Sequence, residues 1–95
     1  MAGREIVVDA SRTLSESDDG GLLRVTTLAT LTVPKDETGD FADGDRMCIL
    51  SDTVSTVSLV GDVGVTLKGG SASLTAKGEH LTLEKEGSNT WYVLR

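Results

Sequence analysis

The feature that most constrains this chain is an alternation of apolar and polar residues that recurs along its length. In residues 22–34 the odd-numbered apolar positions are Leu23, Val25, Ala29, Leu31 and Val33, with Arg24, Thr26, Thr30 and Thr32 between them. The same period returns in residues 56–60, 63–67 and 80–85. Strict alternation is typical of a half-buried β-strand, with one face in a core and the other in water. The sequence therefore predicts a protein built of strands.

Turn-forming residues separate these runs at intervals of about eight to twelve residues. They are DDGG (18–21), KDETGDFADGD (35–45), GDVG (61–64), KGG (68–70), KGE (77–79) and EGSN (86–89). This spacing predicts an all-β fold, a single compact domain of about eight to ten short antiparallel strands arranged as a β-sandwich or barrel. We expect residues 11–95 to form that domain. Residues 1–10 are expected to be an N-terminal arm or edge strand, because no tight turn joins them to the next run.

Two stretches allow a more detailed prediction. RMCIL (46–50) is apolar at both odd and even positions, so we expect a central strand covered on both faces. Residues 80–85 and 90–94 flank the EGSN turn and are expected to form a closing hairpin. Within it Trp91 shares a face with Val93 and is expected in the core, where a large aromatic ring contributes much buried area. Tyr92 and Leu94 then lie on the opposite face.

The residues that most resemble a catalytic or metal site have simpler interpretations. His80, the one histidine, falls on the wet face of its strand and lacks the partners that a general base needs. Asp40, Asp43 and Asp45 lack the spacing of a calcium loop, and Asp-Gly before a strand is a common turn. We therefore expect no enzyme activity, no catalytic residue, no metal site and no cofactor.

Composition narrows the class of partner. Fifteen acidic and nine basic residues give a net charge of −6, which opposes binding to a phosphate backbone, so no nucleic-acid partner is expected. The N-terminal residues carry no secretory h-region, and no apolar run approaches the length that spans a membrane. The single cysteine, Cys48, lies in an apolar run and is expected to be a small buried hydrophobe. We expect folding in a cytoplasm and no membrane or small-molecule partner.

Apolar residues at the two ends of the chain are candidates for contact with another chain. Ile6, Val7 and Val8 belong to the N-terminal run, and edge strands present open hydrogen-bonding groups. Tyr92 and Leu94 form an apolar pair on the second face of the last strand, which indicates a contact surface if it is exposed.

Taken in order, several motifs resemble a small β module of tailed-bacteriophage virion proteins. The chain has D-x-G-x-x-L-R-V, then T-L-T-V-P, then F-x-x-G-x-R before an apolar strand, and it closes on G-x-x-x-W. The matching stretches are Asp18 to Val25, Thr30 to Pro34, Phe41 to Arg46, Val57 to Leu67 and Gly87 to Leu94. The resemblance covers residues 12–95 and rests on the order of the motifs, since each is common in turns and strands.

The resemblance implies a structural function. It suggests a capsid decoration, or cement, protein that binds the outside of a phage head and stabilises it. Its partner would be the major capsid protein, its assembly a homotrimer and its location the outer capsid surface of the virion, after folding in the host cytoplasm. The alternative is a receptor- or glycan-binding module of a phage tail or head fibre, since sugar-binding β modules often expose aromatic side chains.

Overall fold

Ten β-strands make up most of the part of the chain that the computed structural model describes, residues 4–39 and 41–95. They are β1 (Arg4–Val8), β2 (Arg12–Thr13), β3 (Gly21–Val25), β4 (Ala29–Val33), β5 (Arg46–Ser51), β6 (Val57–Gly61), β7 (Thr66–Gly69), β8 (Ser73–Leu74), β9 (His80–Gly87) and β10 (Thr90–Leu94). A 3₁₀ turn spans Glu16–Asp18 and a single helical turn, α1, spans Asp36–Gly39. The prediction of an all-β domain with eight to ten short strands is confirmed.

The strands form two mixed sheets. Sheet A has the order β1-β3-β5-β9-β10-β7, and sheet B has the order β2-β4-β6-β8. From β1 to β6 the chain passes alternately between the sheets, so β1, β3 and β5 stack in parallel in one and β2, β4 and β6 in the other. We call this part, residues 4–61, the coil. Only the pairs β5–β9, β9–β10 and β6–β8 are antiparallel among the described strands.

The prediction of purely antiparallel strands is therefore wrong. An alternating pattern reports which face of a strand is buried, but it does not report the direction of the neighbouring strand. In the coil, each turn sends the chain to the opposite sheet. Strands two apart in sequence consequently run the same way and become neighbours.

One hydrophobic core receives side chains from both sheets. The alternation predicted its members in residues 22–34, and all five odd-numbered apolar side chains there are buried. Sheet A contributes Val8, Leu23, Val25, Met47, Ile49, Leu81, Leu83, Trp91 and Val93, while sheet B contributes Ala29, Leu31, Val33, Val57, Leu59 and Leu74. The molecule measures 33 × 29 × 22 Å, which is compact for a chain of this length.

The closing hairpin is confirmed. β9 and β10 pair antiparallel across the two-residue turn Ser88–Asn89, in which Asn89 has a φ of 50°. Asparagine is one of the few residues that adopt this left-handed conformation readily. Val93 lies opposite Leu83, and Trp91 lies opposite Lys85. Trp91 is fully buried, and its ring meets that of Phe41 edge-on with centroids 5.0 Å apart.

Two details differ from the sequence prediction. β5 does lie in the middle of sheet A, but only one of its faces is covered, because Cys48 and Leu50 remain half-buried on the other. The expected strand over 63–67 begins only at Thr66. Before it the N–H of Val65 donates to the carbonyl of Asp62 across a turn (2.9 Å), which leaves the side chain of Val63 86% exposed.

Candidate functional site

The outer face of sheet A, the face turned away from the core, carries a row of mainly apolar side chains. Leu22 pairs with Cys48, Cys48 with Thr82, and Thr82 with Leu94, so the row crosses four adjacent strands from β3 to β10. Leu94 is 45% exposed and the other three are half-buried. Leu50 adds a further half-buried apolar side chain one row along. We call Leu22, Cys48, Leu50, Thr82 and Leu94 the outer row.

Charged side chains border the outer row, and they pair with one another. Arg24 donates to Glu5 on β1 and to Asp52 after β5, the second bond measuring 2.7 Å. These hydrogen bonds, to Glu5 first and then to Asp52, raise the pKa of the Arg24 guanidinium above its ordinary value. Two further ion pairs on this face join Arg46 to Glu84 (3.4 Å) and Lys68 to Glu86 (3.5 Å). Arg24, Arg46 and Lys68 on this face therefore already have acidic partners within the chain.

Cys48 lies within the outer row and beside a shallow cavity. The cavity has a volume of about 260 Å³ and is lined by Gly20, Gly21, Arg46, Met47, Cys48 and Thr82. Burial raises the pKa of the Cys48 thiol, which keeps it protonated at neutral pH and makes it a poor nucleophile. Cys48, expected to be a small buried hydrophobe, is only half-buried, because it lies on the outer side of β5.

The outer face of sheet B has a different chemistry. Its side chains are hydroxyls, with Thr30 opposite Ser58 and Ser58 opposite Ser73. Val60 is the exposed apolar exception, at 43%. Threonine and serine on the wet side of a strand suit both the backbone and water. The two outer faces are therefore unequal, and the apolar one belongs to sheet A.

The structure divides the five residues expected to contact a partner. Val7, Tyr92 and Leu94 lie on the outer face of sheet A, where Val7 is 53% exposed and Tyr92 is half-buried. Ile6 and Val8 point to the core side of β1. Val8 is only 2% exposed, because alternation places its side chain with the core. That these five residues contact a partner remains a prediction.

Three apolar residues of this face were not among the five residues expected to contact a partner. Leu22, Cys48 and Leu50 come from stretches that are apolar at both odd and even positions, 22–23 and 47–50. We interpreted that signal in RMCIL as a strand covered on both sides. In the isolated chain the second side is open, and the same signal marks an apolar surface.

A buried lysine lies on the core side of β9. Lys85 is 4% exposed at its side chain, and its Nζ lies 3.1 Å from Asp36 Oδ1, 3.1 Å from Asp43 Oδ1 and 2.7 Å from the carbonyl oxygen of Gly87. Desolvation lowers the pKa of Lys85, but its bonds to Asp43 and Asp36 outweigh this and the net pKa is raised. The side chain is therefore a cation at neutral pH, and its role is structural.

A groove lies beside Lys85. It has a volume of about 530 Å³ and is lined by Asp43, Gly44, Glu84, Lys85, Glu86 and Tyr92. The ammonium of Lys68 lies over the ring of Tyr92, 5.8 Å from its centroid. The groove thus combines carboxylates with one aromatic ring, whose face is partly covered from within the chain.

Of the residues considered for metal binding or catalysis, the structure describes Asp43, Asp45 and His80. Asp45 accepts a hydrogen bond from the N–H of Ala42 (2.8 Å), as in a turn, and Asp43 binds Lys85. Asp40 lies outside the described residues. Within residues 4–39 and 41–95, no group of three or more histidine, cysteine, aspartate or glutamate side chains is placed to hold a metal ion. His80 is exposed on the outer face, opposite Leu50.

Comparisons with other proteins add no relative. Searches of protein-family models, curated proteins and solved structures found no match to this chain. In the part of the chain that the structure describes, no helix has the length and apolar character needed to cross a membrane.

Proposed function

We propose that this chain is a structural protein of a bacteriophage virion, a capsid decoration protein that docks through the outer face of sheet A. The observation that carries the proposal is the outer row. Leu22, Cys48 and Leu50 line a β-sheet face that stays half-exposed in the isolated chain, while the neighbouring charges are already paired. Burying such a face against another protein releases water from apolar surface, and it does not bury a charge that lacks a partner.

The order of motifs that resembles phage virion modules supports the biological setting. We propose the major capsid protein as the partner, a homotrimer as the assembly and the outer capsid surface as the location. Many copies on a repeating lattice gain avidity, so a modest contact per copy suffices to link neighbouring capsid subunits. This function needs no catalysis and no cofactor, and we assign the chain neither.

We further propose that the two sheets pack face to face as a sandwich. The support is that their inward side chains belong to one core, with Trp91 and Val93 from sheet A and Leu31 and Leu59 from sheet B. In this arrangement sheet A has a single outer face. Docking through the outer row would therefore leave the hydroxyl-rich face of sheet B toward solvent.

The test uses heads of the phage that encodes this chain, purified without the protein. Leu94→Glu places a charge in the outer row, and we expect affinity for the heads to fall by about tenfold or more, since a buried unpaired charge is costly at an interface. The matched control is Val60→Glu, because Val60 is 43% exposed on sheet B and Leu94 is 45% exposed on sheet A. Cosedimentation with heads measures both affinities.

Thermal melts of the two variants establish that each remains folded. We expect both to melt close to the unaltered protein, with Val60→Glu binding heads normally. Normal head binding by a folded Leu94→Glu variant would show that the outer row is not the docking surface. Absence of head binding by the unaltered chain would reject the decoration function itself.

The groove beside Tyr92 favours the alternative function, a receptor- or glycan-binding module. Glycan sites combine an aromatic ring with polar groups, and Tyr92 stands beside Glu84, Glu86 and Asp43. Trp91 offers no platform because it is fully buried. Under this alternative, Tyr92→Ala would abolish binding to host-cell glycans, whereas Leu94→Glu would leave glycan binding unchanged. A glycan array probed with both variants separates the two functions.

A further inference from the structure

The strand β1 has a regular edge whose backbone groups point away from the sheet. The carbonyl oxygen of Val8 accepts a hydrogen bond from the N–H of Thr26, next to β3, at 3.0 Å. Since backbone groups alternate in direction along a strand, Ile6 also directs its N–H and C=O toward β3. Glu5 and Val7 direct theirs away from the sheet. Because β1 ends the strand order of sheet A, no described strand pairs with these four groups.

The other three edges formed by described strands are shortened or obstructed. At β8 the guanidinium of Arg95 donates to the carbonyls of Ser71 and Ser73, at 3.0 and 2.9 Å. β2 has only two residues, and Arg12 donates to the carbonyl of Thr13 at 3.2 Å.

β7 has four residues and ends at Gly69, whose φ of 99° is outside the range of a regular strand. Natural proteins protect sheet edges in such ways because an open edge pairs with other chains. β1, with five regular residues and an apolar centre, has none of these obstructions.

We propose that β1 pairs antiparallel with β1 of a second copy of this chain, across a two-fold axis that passes between the two Ile6 residues. In this register Glu5 lies opposite Val7 of the second copy, and each pair exchanges two backbone hydrogen bonds. All four outward-facing groups of each edge are then used. The six-stranded sheets of the two copies join into one continuous sheet.

Charge selects this register over its neighbours. Centring the pair on Glu5 would place two carboxylates directly opposite each other, and centring it on Val7 would place Glu5 opposite Asp9 of the second copy. Like charges at opposed positions destabilise a strand pair. The register centred on Ile6 places each Glu5 beside a valine, and Glu5 keeps its bond to Arg24 within its own chain. A two-fold contact is also the commonest symmetry of a homo-oligomer.

The core supplies a second reason for pairing at this edge. Ile6 packs against the core but is only partly buried, because β1 is the last strand on its side of sheet A. In the proposed pair, the two Ile6 side chains meet on the core side and continue the cores across the axis. The contact is small, so we expect a weak dimer in the class of transient interfaces. If the chain also forms trimers, the same contact links trimers in pairs.

The first test is the mass of the protein against concentration, measured by sedimentation equilibrium. We expect a reversible association whose largest species holds an even number of chains. Val7→Pro removes an outward N–H from each copy without touching the bonds between β1 and β3, and it should lower the association constant by about tenfold or more. Val7→Thr keeps the N–H and should associate as the unaltered chain does. Thermal melts confirm that both variants fold.

The second test reads the register directly by cross-linking. Opposed residues of a non-hydrogen-bonded antiparallel pair have Cα atoms about 4.5 Å apart, which suits a disulfide. In a Cys48→Ala background, Ile6→Cys should therefore form a covalent dimer on mild oxidation. Val7→Cys is the control, because the two copies of residue 7 lie diagonally, at about 7–8 Å, and should cross-link much more slowly.

Several results would overturn the proposal. A chain that stays monomeric at millimolar concentration, or forms only odd-numbered assemblies, has no such two-fold contact. Equal association by Val7→Pro would show that the contact lies elsewhere, as would faster cross-linking at residue 7 than at residue 6. None of these measurements uses phage heads, so they stand apart from the test of the decoration function.

Discussion

Lys85 is a buried cation in a domain whose core is largely apolar; Asp18 and Ser51 are the other buried polar residues among those described. Its ammonium contacts two carboxylates and a carbonyl, and these three partners come from α1, the following loop and the end of β9. The backbone of Asp36 and the side chain of Asn89 reinforce the connection, since the N–H of Asp36 donates to Asn89 Oδ1 at 2.7 Å. One lysine thus attaches the longest turn of the chain to the closing hairpin.

Replacing Lys85 with methionine should lower the free energy of unfolding by about 1–3 kcal/mol. The methionine keeps the apolar stem but leaves the carbonyl of Gly87 and the two carboxylates without their cation. The cost is moderated because Asp43 is 71% exposed and water can solvate it. Urea unfolding measures the change.

Lys77→Met is the matched control for Lys85→Met. Lys77 is 63% exposed and lies 3.8 Å from Asp52, so its loss should change stability by less than about 0.5 kcal/mol. Equal effects of the two substitutions would contradict a structural role for the buried ion pair.

Trp91 carries the largest buried side chain of the core. Trp91→Ala should cost about 3–5 kcal/mol, because it removes the ring and leaves a cavity beside Phe41. This is a large part of the stability expected of such a domain. Trp91→Phe should cost much less, since the indole Nε1 has no hydrogen-bond partner among the described residues. Thermal melts measure both variants. An equal fall in melting temperature for Trp91→Ala and Trp91→Phe would contradict this account.

At the scale of elements, the turn between β8 and β9 depends on a carboxylate. Glu79 Oε1 accepts the N–H groups of Thr75 (2.7 Å) and Ala76 (3.1 Å), which hold the turn closed. These backbone hydrogen bonds lower the pKa of Glu79 below its ordinary value of 4.5. The carboxylate therefore binds its proton less readily in the folded chain than in the unfolded chain.

Glu79→Gln should consequently reduce stability in a pH-dependent way. A lowered folded pKa means that the contribution of Glu79 is complete above about pH 4.5 and is lost as the pH falls through the folded value. The difference in melting temperature between the unaltered protein and Glu79→Gln should be largest at neutral pH and should shrink in acid. A difference that is unchanged between pH 7 and pH 2.5 would contradict this role.

The elements also show what the sequence can and cannot predict. Alternation identified the longer strands β3, β4, β6, β9 and β10 and their buried faces, since Leu23, Leu31 and Trp91 lie where their position in the pattern places them. It did not identify the two-residue strands β2 and β8. It did not identify strand direction, because a parallel and an antiparallel neighbour bury the same face. Nor did it reveal Lys85 as a core residue, because a lysine next to acidic residues has the pattern of a solvated strand end. RMCIL is apolar at both odd and even positions, which predicts apolar side chains on both faces of the strand. Which face remains exposed to solvent depends on how the whole sheet packs.

At the scale of the whole molecule, most strand pairs join segments that are distant along the chain. β1 must pair with β3 and β3 with β5, each across one intervening strand of sheet B, and β5 must pair with β9 across β6, β7 and β8. Only β9 and β10 form a local hairpin in sheet A.

We therefore expect refolding from urea on the timescale of milliseconds to seconds, as for other domains dominated by non-local strand pairs. Stopped-flow fluorescence of Trp91, the single tryptophan, measures the rate. Refolding within microseconds would be inconsistent with this topology, because the entropy of closing several long loops must be lost before the pairs form.

The coil also makes the two ends of the stack unequal. At one end, β9 pairs antiparallel with β5 and β8 pairs antiparallel with β6. At the other end, β1 and β2 are the last described strands of their sheets. Residues 4–20 make one complete circuit, since Arg4 lies in register with Gly21. A tandem duplication of that circuit would add one step of about 4.8 Å to the molecule and leave the remaining strands in place. The length of the molecule is therefore set by the number of circuits, and further circuits would be added at its N-terminal side.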